Sequence, residues 1–243
     1  MEPMTTEPAL SNERHAQDGF APLHGVITDW SSDQRSFKSA SWGKTMMWIF
    51  LVSDTFIFSC FLISYMTVRM STTVPWPHPS EVFALVINGK EIPLILIAIM
   101  TFILITSSGT MAMAVNFGYA HDRVKAAILM WVTAVFGASF VGMQAVEWTK
   151  LIREGVRPWA NPFGAEQFGS SFFMITGFHG FHVSVGVIFL IAIGINVWRG
   201  DYDTGRVGFN GRRGRYEIIE IMGLYWHFVD LVWVFIFAFF YLW

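Results

Sequence analysis

Hydrophobic residues in this chain are gathered into five long runs, and polar residues mark the gaps between them. A helix needs about 20 mostly apolar residues to cross the hydrocarbon core of a bilayer, so each run is long enough to be a transmembrane helix. The pattern therefore predicts an all-α, polytopic membrane helix bundle. The predicted spans cover about residues 45–68, 92–117, 125–148, 171–198 and 218–243.

The segments between the predicted spans contain residues that usually end helices. Proline and glycine recur in 69–91, 149–170 and 199–217. The 118–124 link is short and polar, so the second and third spans are expected to form an antiparallel hairpin. Residues 1–44 carry charges and prolines but no apolar run, which predicts a largely irregular cytoplasmic arm and not a signal peptide.

The composition agrees with a membrane protein and narrows its chemistry. Hydrophobic residues make up 53% of the chain and charged residues only 14%, against about 25% charged residues in a soluble domain. A net charge of −2 gives no basic field that would favour a nucleic-acid partner. The single cysteine, Cys60, cannot form an internal disulfide, and there is no CxxCH motif for covalent haem attachment.

The distribution of Lys and Arg predicts the orientation of the spans. The segments 1–44, 118–125 and 199–217 carry eleven of these residues, and the segments on the other side of the membrane carry five. Because cytoplasmic loops are enriched in Lys and Arg, the N-terminus should be cytoplasmic and the C-terminus should lie across the membrane. Aromatic residues typical of an interfacial belt stand at the span ends, namely Trp42, Trp76, Trp159, Trp198, Tyr241 and Trp243.

Small residues on two spans predict close helix packing. Ala138 and Gly142 are four residues apart on the third span, and Gly177, Gly180 and Gly186 lie along the fourth. Small side chains let helix backbones approach each other in a membrane. We therefore expect both spans to be packed tightly against neighbours at these positions.

Ionisable residues inside the spans are the candidate functional residues, because such groups are costly in hydrocarbon. His179 and His182 stand three residues apart on the fourth span, and His227 and Asp230 have the same spacing on the fifth. Residues at this spacing are neighbours on a helix surface. Asp54 lies in the first span, among phenylalanines. The remaining polar residues of interest are Gln144, Glu147, Arg199 and Glu220.

Three hypotheses account for these residues. His179, His182 and His227 could form a metal or haem site, as in an independent membrane metalloenzyme, although the paired Glu-x-x-His motifs of a di-iron bundle are missing from the sequence. The carboxyls of the first and fifth spans could instead relay protons or ions. In the third and preferred hypothesis, the groups satisfy one another between helices and contact lipid headgroups.

Two long segments of the chain resemble a known family. Residues Gly169–Gly186 and Glu220–Trp233 are similar to the signature segments of subunit III of haem-copper cytochrome c oxidases. Weaker similarity covers Trp48–Asp54, Ser107–Gly109 and Gly142–Glu147. The resemblance thus extends from the first span to the C-terminus.

The resemblance implies a helical bundle with a V-shaped cleft that holds phospholipid, and no redox or metal centre in this chain. It implies docking on oxidase subunits I and II, which hold the haems and copper, in a bacterial cytoplasmic membrane with the C-terminus on the periplasmic side. The complex would reduce oxygen and translocate protons, with cytochrome c as the expected electron donor. This subunit would support proton uptake and stability.

The same resemblance suggests roles for individual residues. Asp54 and Glu147 become buried carboxyls that could serve proton uptake. Lipid-contacting or interhelical roles are expected for His179, His182, Glu220, Trp226, His227 and Asp230. Arg199 is added as a possible contact for phosphate headgroups on the basis of its charge alone.

The sequence departs from the family pattern in two ways. The longest members have seven helices, and this chain has five predicted spans. Mitochondrial-type members have glutamate where Asp54 stands, and the five-helix quinol-oxidase relatives have aspartate; Glu220 instead favours the cytochrome c oxidases. Subunit III of a quinol oxidase, or an accessory subunit of a nitric oxide reductase, is therefore the alternative.

Overall fold

The computed structural model describes residues 42–87, 90–202 and 216–242 and contains five long helices. All five are long and apolar enough to cross a membrane, so the predicted all-α bundle of five spans is confirmed. The helices are α1 (Trp42–Ser71), α2 (Ile95–Tyr119), α3 (Arg123–Arg153), α4 (Gln167–Arg199) and α5 (Glu217–Phe237), and a π-helical turn (Ala238–Leu242) extends α5.

The predicted boundaries need small adjustments. Helix α1 begins at Trp42, so the last three residues of the predicted 1–44 arm belong to it. The rest of that arm lies outside the described residues, as does the middle of the 199–217 loop. Helix α4 ends where Gly200 adopts a left-handed conformation with φ of 77°, which glycine accepts without steric cost.

A small β-hairpin lies in the loop between α1 and α2, and the sequence analysis did not predict it. A one-turn helix (Pro79–Val82) precedes strand β1 (Ala84–Ile87), which pairs antiparallel with β2 (Lys90–Pro93). The sequence did contain a signal for it, because Asn-Gly between two short runs of strand formers favours a hairpin.

Helices α2 and α3 form the predicted hairpin through a three-residue turn. His121 adopts a positive φ of 58° in that turn. Asp122 caps α3, since its side chain accepts a hydrogen bond from the backbone N–H of Lys125 at 3.2 Å. The Lys125 ammonium lies 2.9 Å from the same carboxylate. These hydrogen bonds to Lys125 hold the pKa of Asp122 below its usual value.

Four of the helices pack into a closed set in the order α2, α3, α4, α5, with α5 returning to α2. Trp226 of α5 lies inside this set and is 1% exposed. A side chain on Gly137 of α3 would collide with the Trp226 ring, and a Cβ on Gly186 of α4 would meet it at 3.0 Å. The two glycines thus provide the space that the indole occupies.

Helix α1 packs against the other helices chiefly through aromatic side chains. The ring of Phe58 lies 5.3 Å from that of Phe178 on α4 and 6.5 Å from that of Phe228 on α5. Near the end of α1, the Tyr65 ring lies 4.1 Å from the Phe240 ring. Long side chains of this kind bridge helices whose backbones stay apart.

The structure corrects part of the small-residue prediction. A Cβ on Gly177 would meet the Trp148 ring at 3.1 Å, so close packing is confirmed there. In contrast, a Cβ on Gly142 or Gly180 would meet no atom within 4 Å, and Ala138 is exposed. The prediction failed at these three positions because small residues also occur on outward-facing helix surfaces. Tyr241, assigned to the interfacial belt, is instead 2% exposed.

Candidate functional site

The first polar cluster joins α1 to α4. Asp54 is 3% exposed, and its Oδ1 lies 3.5 Å from Nε2 of His182. Nδ1 of His182 lies 2.8 Å from the carbonyl oxygen of Phe178. Because a carbonyl oxygen only accepts hydrogen bonds, this Nδ1 carries a proton. Nε2, the other ring nitrogen, is therefore the one that faces the Asp54 carboxyl.

Aromatic residues surround the Asp54–His182 pair. The Phe58 ring, one helical turn from Asp54, lies edge-on to the His182 ring at 5.6 Å. The Tyr225 hydroxyl donates to the backbone carbonyl of His182 at 2.9 Å. Oδ2 of Asp54 has no hydrogen-bond partner among the described residues. Phe58 is thus one of the phenylalanines expected near Asp54. The hydrogen bond from Tyr225 was not predicted from the sequence.

His179 does not join its neighbour His182. It is 1% exposed, its ring stacks on Trp233 at 5.4 Å, and Phe140 meets it edge-on at 5.8 Å. Neither ring nitrogen has a hydrogen-bond partner within the part of the chain that the structure describes. Three residues correspond to about 300° of helix rotation. The two histidines therefore differ by about 60° in direction, which is enough to give them different neighbours.

The second polar cluster lies near the C-terminal end of α3. Glu147 is 3% exposed and accepts a hydrogen bond from Nε2 of Gln144 at 2.8 Å. The hydroxyl of Tyr241 lies 3.2 Å from both carboxylate oxygens. A cavity of about 20 Å³ beside Glu147 and Lys150 is large enough for one water molecule. Tyr241 belongs to this cluster, although its position at the chain end suggested only an interfacial role.

The third polar cluster lies between α2 and α5. Oγ of Ser108 is 2.6 Å from Nδ1 of His227, and the same hydroxyl interacts with the Asp230 carboxyl. Oδ1 of Asp230 has no partner among the described residues. Nearer the end of the same seam, the Tyr119 hydroxyl donates to Oε2 of Glu220. The only sequence signal for Ser108 was the small polar run Ser107–Gly109 within an apolar span.

Two further predicted residues have separate surroundings. Trp226 is in the bundle interior, where its indole N–H donates to Oγ of Ser107 at 3.0 Å. Arg199 is exposed at the last position of α4. The three histidines of the metal hypothesis are divided among different clusters, and within residues 42–87, 90–202 and 216–242 no three potential metal ligands are grouped together.

A groove of about 600 Å³ opens between α1 and α4. Its wall is mostly aromatic and aliphatic, and the hydroxyls of Ser64, Ser170 and Ser171 add polar atoms. The lining residues are Phe61, Ser64, Tyr65, Val68, Pro158, Ser170, Ser171, Phe173, Met174 and Ile175. The groove lies at the end of α4 where that helix begins, about 10 Å along the α1–α4 seam from the Asp54–His182 pair.

Five membrane-crossing helices with carboxyl and imidazole groups buried between them define a polytopic membrane protein. A family model described as Cytochrome c oxidase subunit III matches residues 34–243. The chain belongs to this family, the subunit III family of haem-copper oxidases, whose members associate with other oxidase subunits in the membrane.

Curated relatives agree with this assignment. The chain is similar to "Probable quinol oxidase subunit 3" of Staphylococcus saprophyticus, with 31% identity over 206 residues, which cover 85% of this chain and 90% of that protein. It is also similar to the protein of the same name from Staphylococcus aureus, with 32% identity over 197 residues. The match covers 80% of this chain and 86% of that protein.

Proposed function

We propose that this chain is the redox-inactive subunit III of a terminal oxidase in a bacterial cytoplasmic membrane, where it docks on subunits I and II. The family match over residues 34–243, which include all five membrane helices, carries this proposal. Haems and copper belong to the partner subunits. Oxygen reduction and proton translocation are activities of the complex, which this subunit stabilises.

The groove between α1 and α4 is the proposed phospholipid site. Its volume of about 600 Å³ and its aromatic wall suit acyl chains. Arg157, exposed beside Pro158 at the groove end, places a cation where a phosphate headgroup would lie. Arg199 is at the other end of α4, about 40 Å away along the helix. It can therefore contact only lipids of the opposite leaflet.

Asp54 is the carboxyl proposed to support proton uptake. It is buried, and its Oδ1 lies 3.5 Å from Nε2 of His182, a second group that can exchange protons. With a cytoplasmic N-terminus, as the distribution of Lys and Arg predicts, Asp54 lies in the half of α1 nearer the cytoplasm. Glu147, near the end of α3, lies toward the periplasmic surface in that orientation. We therefore assign proton uptake to Asp54 and an interhelical role to Glu147.

The electron donor of the complex is proposed to be a quinol. The names of the relatives from two Staphylococcus species support this choice. Cytochrome c was expected on the basis of Glu220, whose hydrogen bond with Tyr119 gives that residue an interhelical contact within this chain. Membranes should therefore oxidise a quinol faster than reduced cytochrome c, and the reverse preference would restore the original expectation.

A pull-down tests the proposed function as a whole. The chain is tagged on its N-terminal arm and purified from gently solubilised membranes, and the optical spectrum, subunit masses and phosphorus content are recorded. Haem bands, two larger membrane subunits and bound phospholipid are expected. A haem-containing partner with nitric oxide reductase activity would support the alternative assignment. A solitary chain with stoichiometric metal would overturn the proposal.

The role of Asp54 is tested in the assembled complex. Asp54→Asn removes the acidic proton and preserves the size of the side chain, so turnover should slow more at high pH, where protons are scarce, than at low pH. Glu147→Gln is the matched control and should leave the pH profile of turnover unchanged. Equal profiles for both variants and the native complex would mean that Asp54 is only structural.

A further inference from the structure

Glu147 is a buried carboxyl whose hydrogen bonding is incomplete. Its Oε2 accepts from Nε2 of Gln144 at 2.8 Å, and the Tyr241 hydroxyl lies 3.2 Å from each of its oxygens. A tyrosine has one hydroxyl proton, so these two neighbours supply two donors. A carboxylate can accept about four hydrogen bonds. Glu147 therefore keeps acceptor sites that no side chain in the described part of the chain fills.

A cavity of about 20 Å³ lies against this carboxyl. The polar side chains on its wall are those of Glu147 and Lys150. The rest of the wall is apolar and consists of Val82, Phe83, Leu96, Ile97, Val146 and Leu151. About 10–15 Å³ is enough for one water molecule, provided that the water finds two or more polar partners. The cavity meets both conditions.

The residues at the cavity join separate segments of the chain. Nζ of Lys150 lies 3.3 Å from the carbonyl oxygen of Val82 and 3.4 Å from Oε1 of Glu154. Val82 ends the one-turn helix before the β-hairpin, and Tyr241 belongs to the π-helical turn after α5. Helix α3, the segment before the hairpin and the C-terminal turn thus meet around Glu147 and Lys150.

We infer that the cavity binds one ordered water molecule, which donates a hydrogen bond to the Glu147 carboxylate and accepts one from the Lys150 ammonium. A buried carboxylate is costly unless it is paired and hydrogen-bonded. The water supplies a missing donor and connects the carboxylate to a positive charge. It thereby stabilises the junction of the three segments. This water site lies within one chain and is independent of the proposed function.

Filling the cavity tests for the water, because displacing a bound water and filling an empty void change stability in opposite directions. Val82→Ile adds one methylene group to a side chain that is 0% exposed and lines the cavity. Displacement of the water would leave an acceptor of Glu147 unfilled, so the unfolding temperature of the full chain in detergent should fall by about 3 °C. An increase would mean that the cavity is dry, and it would overturn the inference.

The same substitution in a Glu147→Met background is the matched control. Methionine preserves the length of the side chain but removes both oxygens, so the cavity no longer holds the water and Val82→Ile should not lower the unfolding temperature further. Equal losses in both backgrounds would show that the effect of Val82→Ile is unrelated to water on Glu147. If Glu147→Met does not fold, Lys150→Met takes its place, since the water then keeps one partner and the loss should shrink.

A structure of the assembled complex, at a resolution that shows ordered solvent, tests the site directly. One density peak is expected within hydrogen-bond distance of a Glu147 carboxylate oxygen and of Nζ of Lys150. The peak should be absent from the Val82→Ile variant. A native cavity without density, or with the density of an acyl or detergent chain, would contradict the water site.

Discussion

Helix α5 is packed on two sides in contrasting ways. Toward α1 the contacts are between large rings, such as Phe228 with Phe58 at 6.5 Å. Toward α2 they are hydrogen bonds between side chains, such as the Trp226 indole to Ser107 at 3.0 Å and the Trp233 indole to Thr101 at 3.1 Å. Rings can bridge a wide gap, whereas hydrogen bonds require close helices. The side facing α1 accordingly has ring contacts, and a groove opens farther along α1, between it and α4. The α2 side has polar groups held in place.

The contrast shows how one bundle can present two different surfaces to a membrane. An aromatic seam with an apolar groove suits flexible acyl chains, which need volume but no hydrogen bonds. The seam between α2 and α5 instead sets side-chain donors against acceptors, as Ser108 and His227 show at 2.6 Å. Substitutions on either side test this distinction, and their expected effects differ in size.

The largest effect is expected at the closely packed centre of the four-helix set. Gly137→Leu would drive a side chain into Trp226 and Val187, which should cost about 3 kcal/mol by overpacking. Gly142→Leu, on the same helix, has open space around its Cβ and should leave stability nearly unchanged. Thermal unfolding of the purified variants in detergent measures the difference. Similar losses in both variants would contradict the tight packing around Trp226.

A smaller effect is expected on the aromatic side. Phe58→Ala removes a ring that contacts α4 and α5 and is 3% exposed. Such a truncation costs about 3–5 kcal/mol in a water-soluble core, and because lipid is as apolar as the lost ring, we expect about 2 kcal/mol here. The loss should loosen α1 and leave the other four helices packed, which faster backbone hydrogen exchange confined to α1 can detect. Phe56→Ala on the same helix, where the ring is 71% exposed, should change neither property.

The side-chain hydrogen bonds on the α2 side predict a third effect. Ser107→Ala removes the acceptor of the buried Trp226 indole N–H, and such a bond in a membrane is worth about 1 kcal/mol. Ser139→Ala is the control because Ser139 is exposed and bonds only a carbonyl of its own helix, that of Val135 at 2.8 Å. Equal unfolding temperatures for the two serine variants would mean that the indole bond contributes nothing to stability.

The smallest effect is expected at the aqueous turn outside both seams. Lys125 lowers the pKa of Asp122 in the folded state, so the contribution of this carboxylate to stability is present above its unfolded-state pKa. That contribution is lost as the pH falls through the folded-state pKa. Asp122→Ala should therefore lower the unfolding temperature slightly at pH 7 and not at strongly acidic pH. A difference that grows on acidification would contradict this sign.

The fold was largely predictable, because spans depend on composition over long windows. The first helix was predicted over 45–68 and occupies Trp42–Ser71. The largest difference among the others is at the end of α3, predicted at 148 and found at Arg153, apart from α5, which reaches its predicted end only with the π-helical turn. The β-hairpin before α2 was missed although an Asn-Gly pair favours it, because its four-residue strands are too short to form a long apolar run. The candidate site was predicted only as a set of residue types, because a sequence does not specify which neighbour a polar side chain meets.

Particular residues show where sequence reasoning had to stop. His179 and His182 were expected to share a face, but a rotation of about 60° sends His179 to Trp233 and His182 to Asp54. Gly137, which was not singled out, lies against Trp226, and Gly180, which was, has open space around it. Helix rotation about its own axis decided these outcomes, and helices that are apolar all round do not encode that rotation in their hydrophobic pattern.

The sequence by itself determined the class of protein, the number of spans and the identity of the polar groups inside them, because the cost of burying polar atoms in hydrocarbon acts on each segment separately. The tertiary structure alone decided that Asp54 meets His182, that Ser108 meets His227 and that Asp230 keeps an oxygen without a partner in the described residues. These pairings depend on how the helices are rotated and spaced. The packing among all five helices fixes both.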